Sequence, residues 1–528
     1  MKSLAKVFAL EASLTALLLW ATPLFSADWP TFGHDPQRSG WAFEETKLSV
    51  QTAGELELKW KAQAKNEPRS LTALTAPVVA SGVVTTQAIK TLVYVAGSSD
   101  HLFAYDAANG SLVWSRDFDT RVLPKDEGMW LCPNGINATP VIDRSTNTLY
   151  AVAVDGRLYG MDLGTGSVRF GPAQFVPAFS KNWSLNLFDG VIYTAISQGC
   201  GGAQSGLYSI TLANPDRPAV HDLFIAHNGG GIWGRGGPVI GKNGRIYAST
   251  GDGDFVPWKG DFANTVFAAS VKDLKMLDYY TPTNWSDVSR YDLDMGSASP
   301  VWFAHGNHNL LVSAGKEAVV YLMDADELGD KDHQTPLFTV HLANDEKSFQ
   351  GQGVWGGFST WRDLQDQTWV YVPIWGPVSK DAPSFPQTNE PAPHGCIMAF
   401  KVGLDPSTKK PVLVPAWISG DVNLPEPVVI ANGVVFALAT GENPMQTVQS
   451  GVITQSPHLT LLTDAQRRLN TKNAVLYALD AKTGKTLYSS GGAISTWTHF
   501  SGLAVADGRV YAVDHDSRLY CFGLKEKP

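Results

Sequence analysis

The chain has 528 residues, 44% of them hydrophobic, with 50 acidic against 41 basic side chains. A chain of this kind can bury a large core. Its mild acidity and lack of a basic run argue against nucleic-acid binding, which rests largely on Lys and Arg neutralising phosphates.

The first 27 residues combine Lys2 and Lys6, an apolar run and the small residues Ser26 and Ala27. That is the pattern of a secretory signal peptide, so a periplasmic or secreted protein is expected, with 28–528 as its mature part. A single membrane anchor is the competing reading of the same segment. No later stretch approaches the roughly 20 apolar residues of a spanning helix, so no stable membrane span is expected after processing. The four cysteines, Cys132, Cys200, Cys396 and Cys521, form no Cys-x-x-Cys pair. That excludes a zinc ribbon and a c-type haem attachment site, while export would permit disulfides.

Next comes "LELKW" (Leu56 to Trp60), and after it a hexapeptide that returns eight times. It reads "HLFAYD" from His101, "RLYGMD" from Arg157, "GLYSIT" from Gly206, "TVFAAS" from Thr265, "VVYLMD" from Val319, "CIMAFK" from Cys396, "VLYALD" from Val475 and "RLYCFG" from Arg518. Seven copies are followed by a second apolar strand, such as "LVWS" or "TLYS". Most are preceded by two more, such as "PEPVVI" and "VVFALAT". Each unit is thus four short antiparallel strands, A to D, and such a period with Gly-rich turns signals an all-β propeller. The last copy lacks a D strand. "LELKW" is predicted to supply it, closing one eight-bladed ring and removing its open edge. Most of the tryptophans are expected in the core or between blades.

In an up-and-down blade, the loop entering strand A and the loop joining B to C share one face. Entering A strands stand Trp130, Cys132, Trp183, Trp233, Tyr291–Ser297, Trp355 and Trp497–Gly502. In B–C loops stand Ser197–Gly206, Thr250–Phe255, Gly315–Glu317, Trp375, Gly441–Asn443 and Asp514–Asp516. An aromatic-lined polar funnel is expected on that face, the default place for a ligand.

"ALDAKTGK" and the opening "WPTFGHDPQRSGW" resemble the repeats and leading segment of the pyrroloquinoline quinone (PQQ) dehydrogenases and their propeller relatives. The resemblance covers the chain from about Trp29 to its end. It implies an eight-bladed propeller and, for the catalytic members, PQQ with Ca²⁺ or a lanthanide. Trp233 looks like the tryptophan on which the quinone rings stack, and Lys316 like the basic residue that contacts the quinone oxygens. Asp252 falls where the family usually has a metal-binding Asn, and Gln204 where many members have a metal-binding Glu. An amide is a poorer ligand than a carboxylate for a hard cation. Asp292 and Asp294 resemble the catalytic Asp and the extra Asp of the lanthanide-using branch. In an extended segment their side chains would project to the same side. The alcohol-oxidising branch often has a disulfide ring of adjacent cysteines over the cofactor; here a Cys132–Cys200 bridge would substitute. Cys396 and Cys521, inside C strands, are expected to be buried thiols.

The resemblance implies an exported oxidoreductase acting on an alcohol or sugar hydroxyl. Its electrons would go to a separate acceptor such as a cytochrome. A fold hosts many functions, however, and related propellers serve in outer-membrane assembly without a quinone. A binding or assembly scaffold is therefore the second reading, and a hydrolase or lyase using paired carboxylates the third.

Overall fold

The computed structural model describes residues 27–526 except 70, 119–130, 133–134, 215 and 450–458. The leading segment up to Ser26, and Trp130, lie outside the described residues. Eight antiparallel sheets of the expected A-to-D order follow one another in the chain and form an eight-bladed β-propeller. Blade 1 is Val78–Val84, Ile89–Gly97, His101–Asp106 and Leu112–Asp117. Blade 2 is Val141–Asp143, Thr148–Val152, Arg157–Asp162 and Val168–Gln174. The A strand of blade 3 is broken into Lys181–Asn182 and Asn186–Phe188, followed by Val191–Ser197, Gly206–Thr211 and Val220–Phe224. Blade 4 is Val239–Ile240, Arg245–Ser249, Val266–Ser270 and Met276–Tyr280. Blade 5 is Val301–His305, His308–Ser313, Val319–Asp324 and Phe338–His341. Blade 6 again has a split A strand, Gly353–Val354 and Ser359–Arg362, then Thr368–Trp375, Gly395–Leu404 and Pro411–Ile418. Blade 7 is Val429–Ala431, Val434–Ala439, Val475–Asp480 and Thr486–Ser489.

Blade 8 closes the ring as the sequence predicts. Its strands Ala504–Ala506, Arg509–Val513 and Arg518–Leu524 are completed by Leu56–Gln63, paired antiparallel from Leu56 opposite Leu524 to Gln63 opposite Arg518. Inner strands such as Val434–Ala439 are buried along their whole length, because neighbouring blades cover both faces.

The repeated turn after strand C has a physical reason. Trp417, at the end of blade 6, donates its Nε1–H to Ala481 O in blade 7 at 3.0 Å. A Cβ on Gly484 would lie 2.3 Å from the Trp417 ring, and Gly484 has φ +69°. Trp60 on Gly110 and Trp114 on Gly166 repeat the arrangement, with Nε1–H bonds to Ala107 O and Leu163 O of 2.9 and 2.8 Å. At these three junctions the D-strand tryptophan of one blade caps the C–D turn of the next.

The segment before the first strand forms a belt across the ring. Trp29 pairs with Val79 of blade 1, and Pro30 O accepts from Ile142 N–H of blade 2. Thr31 Oγ1 donates to Leu185 O of blade 3, and Pro36 O accepts from Ile240 N–H of blade 4. Gln37, Ser39 and Gly40 carbonyls accept from Trp302, Thr360 and Ile430 of blades 5, 6 and 7, and Glu45 accepts from Gly508 N–H of blade 8. One irregular stretch therefore satisfies backbone groups of every blade.

Candidate functional site

The loops sorted to one face from strand order do converge. A cavity of about 600 Å³ is lined from A-strand entries by Trp183, Trp233, Asp292, Asp294, Trp355 and Phe500, and from B–C loops by Gln204, Asp252, Lys316, Trp375 and Glu442. Trp183, Trp233, Trp355, Trp375 and Phe500 pack as one aromatic cluster. Trp355 and Trp375 stack at 4.8 Å, and Trp233 meets Trp355 edge-on at 5.5 Å. Trp497 and the Asp514–Asp516 loop do not line the cavity: Trp497 stacks on His515, and Asp514 accepts from Tyr520.

The charged wall is built around Lys316, which follows the B strand of blade 5 and is 3% exposed. Its Nζ lies 2.5 Å from Asp292 Oδ1 and 2.6 Å from Asp294 Oδ2. Asp294 Oδ1 accepts the Asp252 N–H at 2.7 Å. Gly251 permits this approach, because a Cβ there would stand 2.4 Å from Asp294 Oδ1 and 3.0 Å from Trp233 Nε1. The ammonium also lies 5.2 Å over the Trp233 ring and 5.3 Å over Trp355, which favours the cation.

The Asp292–Asp294 segment is not extended, as expected from the i, i+2 spacing, but a turn. It leaves a short helix, Trp285–Arg290, with the Asp292 N–H on Ser289 O at 3.2 Å and Asp292 at φ +54°. Asp is among the few residues that enter this left-handed region readily. The two carboxylates still meet, because each reaches the same ammonium.

These contacts divide the carboxylates. Burial, and then the Asp294 charge, push Asp292 up to about 8 although Lys316 opposes the shift. Burial and the charges of Asp294 and Asp292 hold Asp252 well above the usual carboxylate range. Burial also works against ionisation of Asp294, but the Lys316 charge and hydrogen bonds from Asp292, Lys316 and Asp252 outweigh it and hold Asp294 at about 2. Lys316 is pushed up: burial opposes, and the three carboxylates win. One ammonium thus faces three carboxylates, whose ligand atoms all lie within 4.8 Å of one another. That all-oxygen donor set suits a hard cation.

Gln204 lines the same cavity but is exposed on its loop. Cys132 and Cys200 are bridged, with Cα atoms 5.5 Å apart. The bridge itself lines a small adjoining crevice, and its neighbours Leu131 and Gly199 line the large cavity. Cys396 and Cys521 are buried thiols, both held protonated by burial.

On another part of the wall, His499 Nδ1 lies 2.6 Å from Glu442 Oε2, and Arg467 Nη2 lies 3.8 Å from the same oxygen. Glu442 and His499 lie in loops the strand order assigned to this face. Arg467 was not legible, because the stretch 440–474 between strands B and C of blade 7 carries no strand periodicity. A Thr-x-x-Gln capping box, Thr463 to Gln466, was the one signal for the short helix Asp464–Arg468 that carries it.

Comparison with known proteins agrees with this architecture. The family model described as outer membrane protein assembly factor BamB matches residues 41–184. Quinohemoprotein alcohol dehydrogenase ADHIIG from Pseudomonas putida HK5 is 12% identical, with a TM-score of 0.57 over 95% of this chain and 81% of that one. The quinohemoprotein alcohol dehydrogenase of Comamonas testosteroni is 14% identical, with a TM-score of 0.52 over 95% and 82%. A europium-containing methanol dehydrogenase is 12% identical, with a TM-score of 0.57 over 94% and 98%. No curated protein matches the chain in sequence. At these identities the structural likeness establishes the fold. Together with the family match, it supports a PQQ-like propeller family. No helix among the described residues is long and apolar enough to cross a membrane.

Proposed function

We propose that the chain is an exported quinoprotein dehydrogenase that oxidises the hydroxyl of an alcohol or sugar. Residues 28–528 would be a single propeller domain, and 1–27 an export signal. One observation carries the reading: Asp252, Asp292, Asp294 and Lys316 meet beside Trp233 in one aromatic cavity of about 600 Å³. That volume falls within the range of small-molecule sites.

Asp252, Asp292 and Asp294 would hold the cation, Ca²⁺ or a lanthanide, with Gln204 as an outlying candidate. The Trp233 ring would carry the flat cofactor, and the Cys132–Cys200 bridge would fix the loops around it. PQQ, when bound, would supply the redox chemistry. The protein's own part is proton handling and charge. Asp292, in its ionised form, takes the proton of the substrate hydroxyl, and burial, which raises its affinity for a proton, makes it the stronger base. Lys316 balances the carboxylates and offers a fixed positive charge at the cavity wall. Electrons would leave to a separate carrier such as a cytochrome.

The test is titration of the purified protein with PQQ together with Ca²⁺ or a lanthanide, read as bound-quinone absorbance and dye-linked alcohol oxidation. Asp292→Asn should abolish oxidation and keep quinone binding; Trp233→Ala should weaken binding. No quinone binding with any cation, and no alcohol or sugar oxidised, would overturn the reading. The second reading, a non-catalytic binding or assembly scaffold, is favoured by the family match over 41–184 and would then stand.

A further inference from the structure

Among the described residues two lysines line the cavity, and their surroundings differ. Lys316 is clamped between two carboxylates. Lys181 opens the split A strand of blade 3, its backbone in register with Ser197, and stands half-buried in the wall. Among the described residues, no carboxylate and no hydrogen-bond acceptor meets its Nζ; its side-chain contact is with the face of Trp183, 5.2 Å to the ring centroid. Leu71 and Leu131 line the same cavity.

We infer that Lys181 is a carbonyl-capturing amine: a site at which an aldehyde entering the cavity forms a reversible imine. The lone pair of Nζ attacks the aldehyde carbon, a C–N bond forms, and the carbonyl oxygen leaves as water. Lys-NH₂ and R-CHO give Lys-N=CH-R and H₂O, and hydrolysis reverses the step. No oxidant or cofactor enters the balance, so the inference does not rest on the quinone reading.

Such chemistry needs a neutral amine, and a half-buried lysine that meets no carboxylate among the described residues favours one. Burial brings Lys181 down to about 7 from its ordinary 10.5, so free amine is present at neutral pH. Lys316 is shifted the other way and stays an ammonium. The Trp183 face beside Nζ favours the ammonium, as at Lys316, and so works against burial; it also offers a stacking surface to an aldehyde with a flat or apolar substituent.

The test is trapping with benzaldehyde and sodium cyanoborohydride at pH 7, followed by peptide mapping. In the wild-type protein, Lys181 should be labelled at least tenfold faster than the exposed Lys272 and Lys485. Its labelling rate should reach half its maximum near pH 7, and Lys316 should stay unlabelled. Lys181→Arg should remove the fast label alone. Labelling of Lys181 no faster than that of the exposed lysines, or a rate still rising steeply above pH 9, overturns the assignment. Because the rates are read in wild-type protein, the result does not depend on the folding of any variant.

Discussion

Lys316 Nζ lies 2.5 Å from Asp292 Oδ1, and the same ammonium is shared with Asp294 at 2.6 Å. Replacing Lys316 by Met would leave two buried carboxylates facing each other without a cation. Removing one partner of a buried pair costs about 3–5 kcal/mol, because the remaining charge is uncompensated. Denaturant unfolding of Lys316→Met in chelator should show a loss of that order. Ca²⁺ or La³⁺ should restore much of it, since either can take over the role of the ammonium. A loss that no cation reverses would argue against a cation site formed by Asp252, Asp292 and Asp294.

The contact of Trp417 with the turn of the next blade makes Gly484 a sensitive position. Ala at Gly484 must adopt φ +69° and place a methyl group 2.3 Å from the Trp417 ring. The left-handed backbone costs about 1–2 kcal/mol and overpacking about 1–3 more. Chemical denaturation should therefore show Gly484→Ala destabilised by about 2–5 kcal/mol. Trp417→Phe should lose only about 1 kcal/mol, since it keeps much of the ring and removes one of two donors to Ala481 O, the Tyr371 hydroxyl remaining at 3.0 Å.

The repeat was legible because the blades meet shared demands. The inner strands must be apolar on both faces, and in blades 1, 2 and 7 the C–D turn must also admit the tryptophan of the preceding blade. Those demands write the same residues into "HLFAYDAANG" and "VLYALDAKTG", so copies are visible without an alignment. Strand order then sorted Trp233, Asp252, Asp294 and Lys316 onto one face. The turn at Asp292 was not legible, because the Asp-x-Asp spacing fits a strand as well as a helix exit. Neither was the belt: Trp29 to Glu45 has no strand or helix period, as its hydrogen bonds go to other blades rather than to itself. Arg467 was hidden for a similar reason, on a short helix inside a long insertion.

Arg38 tests the belt. It is 4% exposed and donates to Thr31 Oγ1, Phe32 O and Leu185 O at 2.8, 2.7 and 2.9 Å, joining the belt's own turn to blade 3. Arg38→Met would leave the Phe32 carbonyl without this donor, at about 1–3 kcal/mol, while Leu185 O keeps its bond from Thr31 Oγ1. Lys at 38 cannot reproduce the planar fork and should recover less than half of the loss. Limited proteolysis should cleave both variants first within 28–47, before any blade. Protection of that segment equal to wild type would show that the belt is held without Arg38.

His499 gives the expected pH dependence. Its ring is 13% exposed, and burial lowers its pKa from 6.5, although Glu442 pulls it back. The unfolded chain therefore takes up a proton near pH 6.5 that the folded protein resists. Stability from this group is complete above about pH 6.5 and falls as the pH drops below it, by at most about 1.4 kcal/mol per pH unit for one proton. Unfolding free energies of wild type and His499→Gln, measured between pH 7.5 and 5, isolate the effect, since Gln can still donate to Glu442 but does not titrate. Wild type should lose stability more steeply than the variant below pH 6.5, and the two slopes should agree above it. Parallel curves throughout would mean that the imidazole is protonated as readily in the fold as in water, and that the Glu442 carboxylate, not burial, governs its charge.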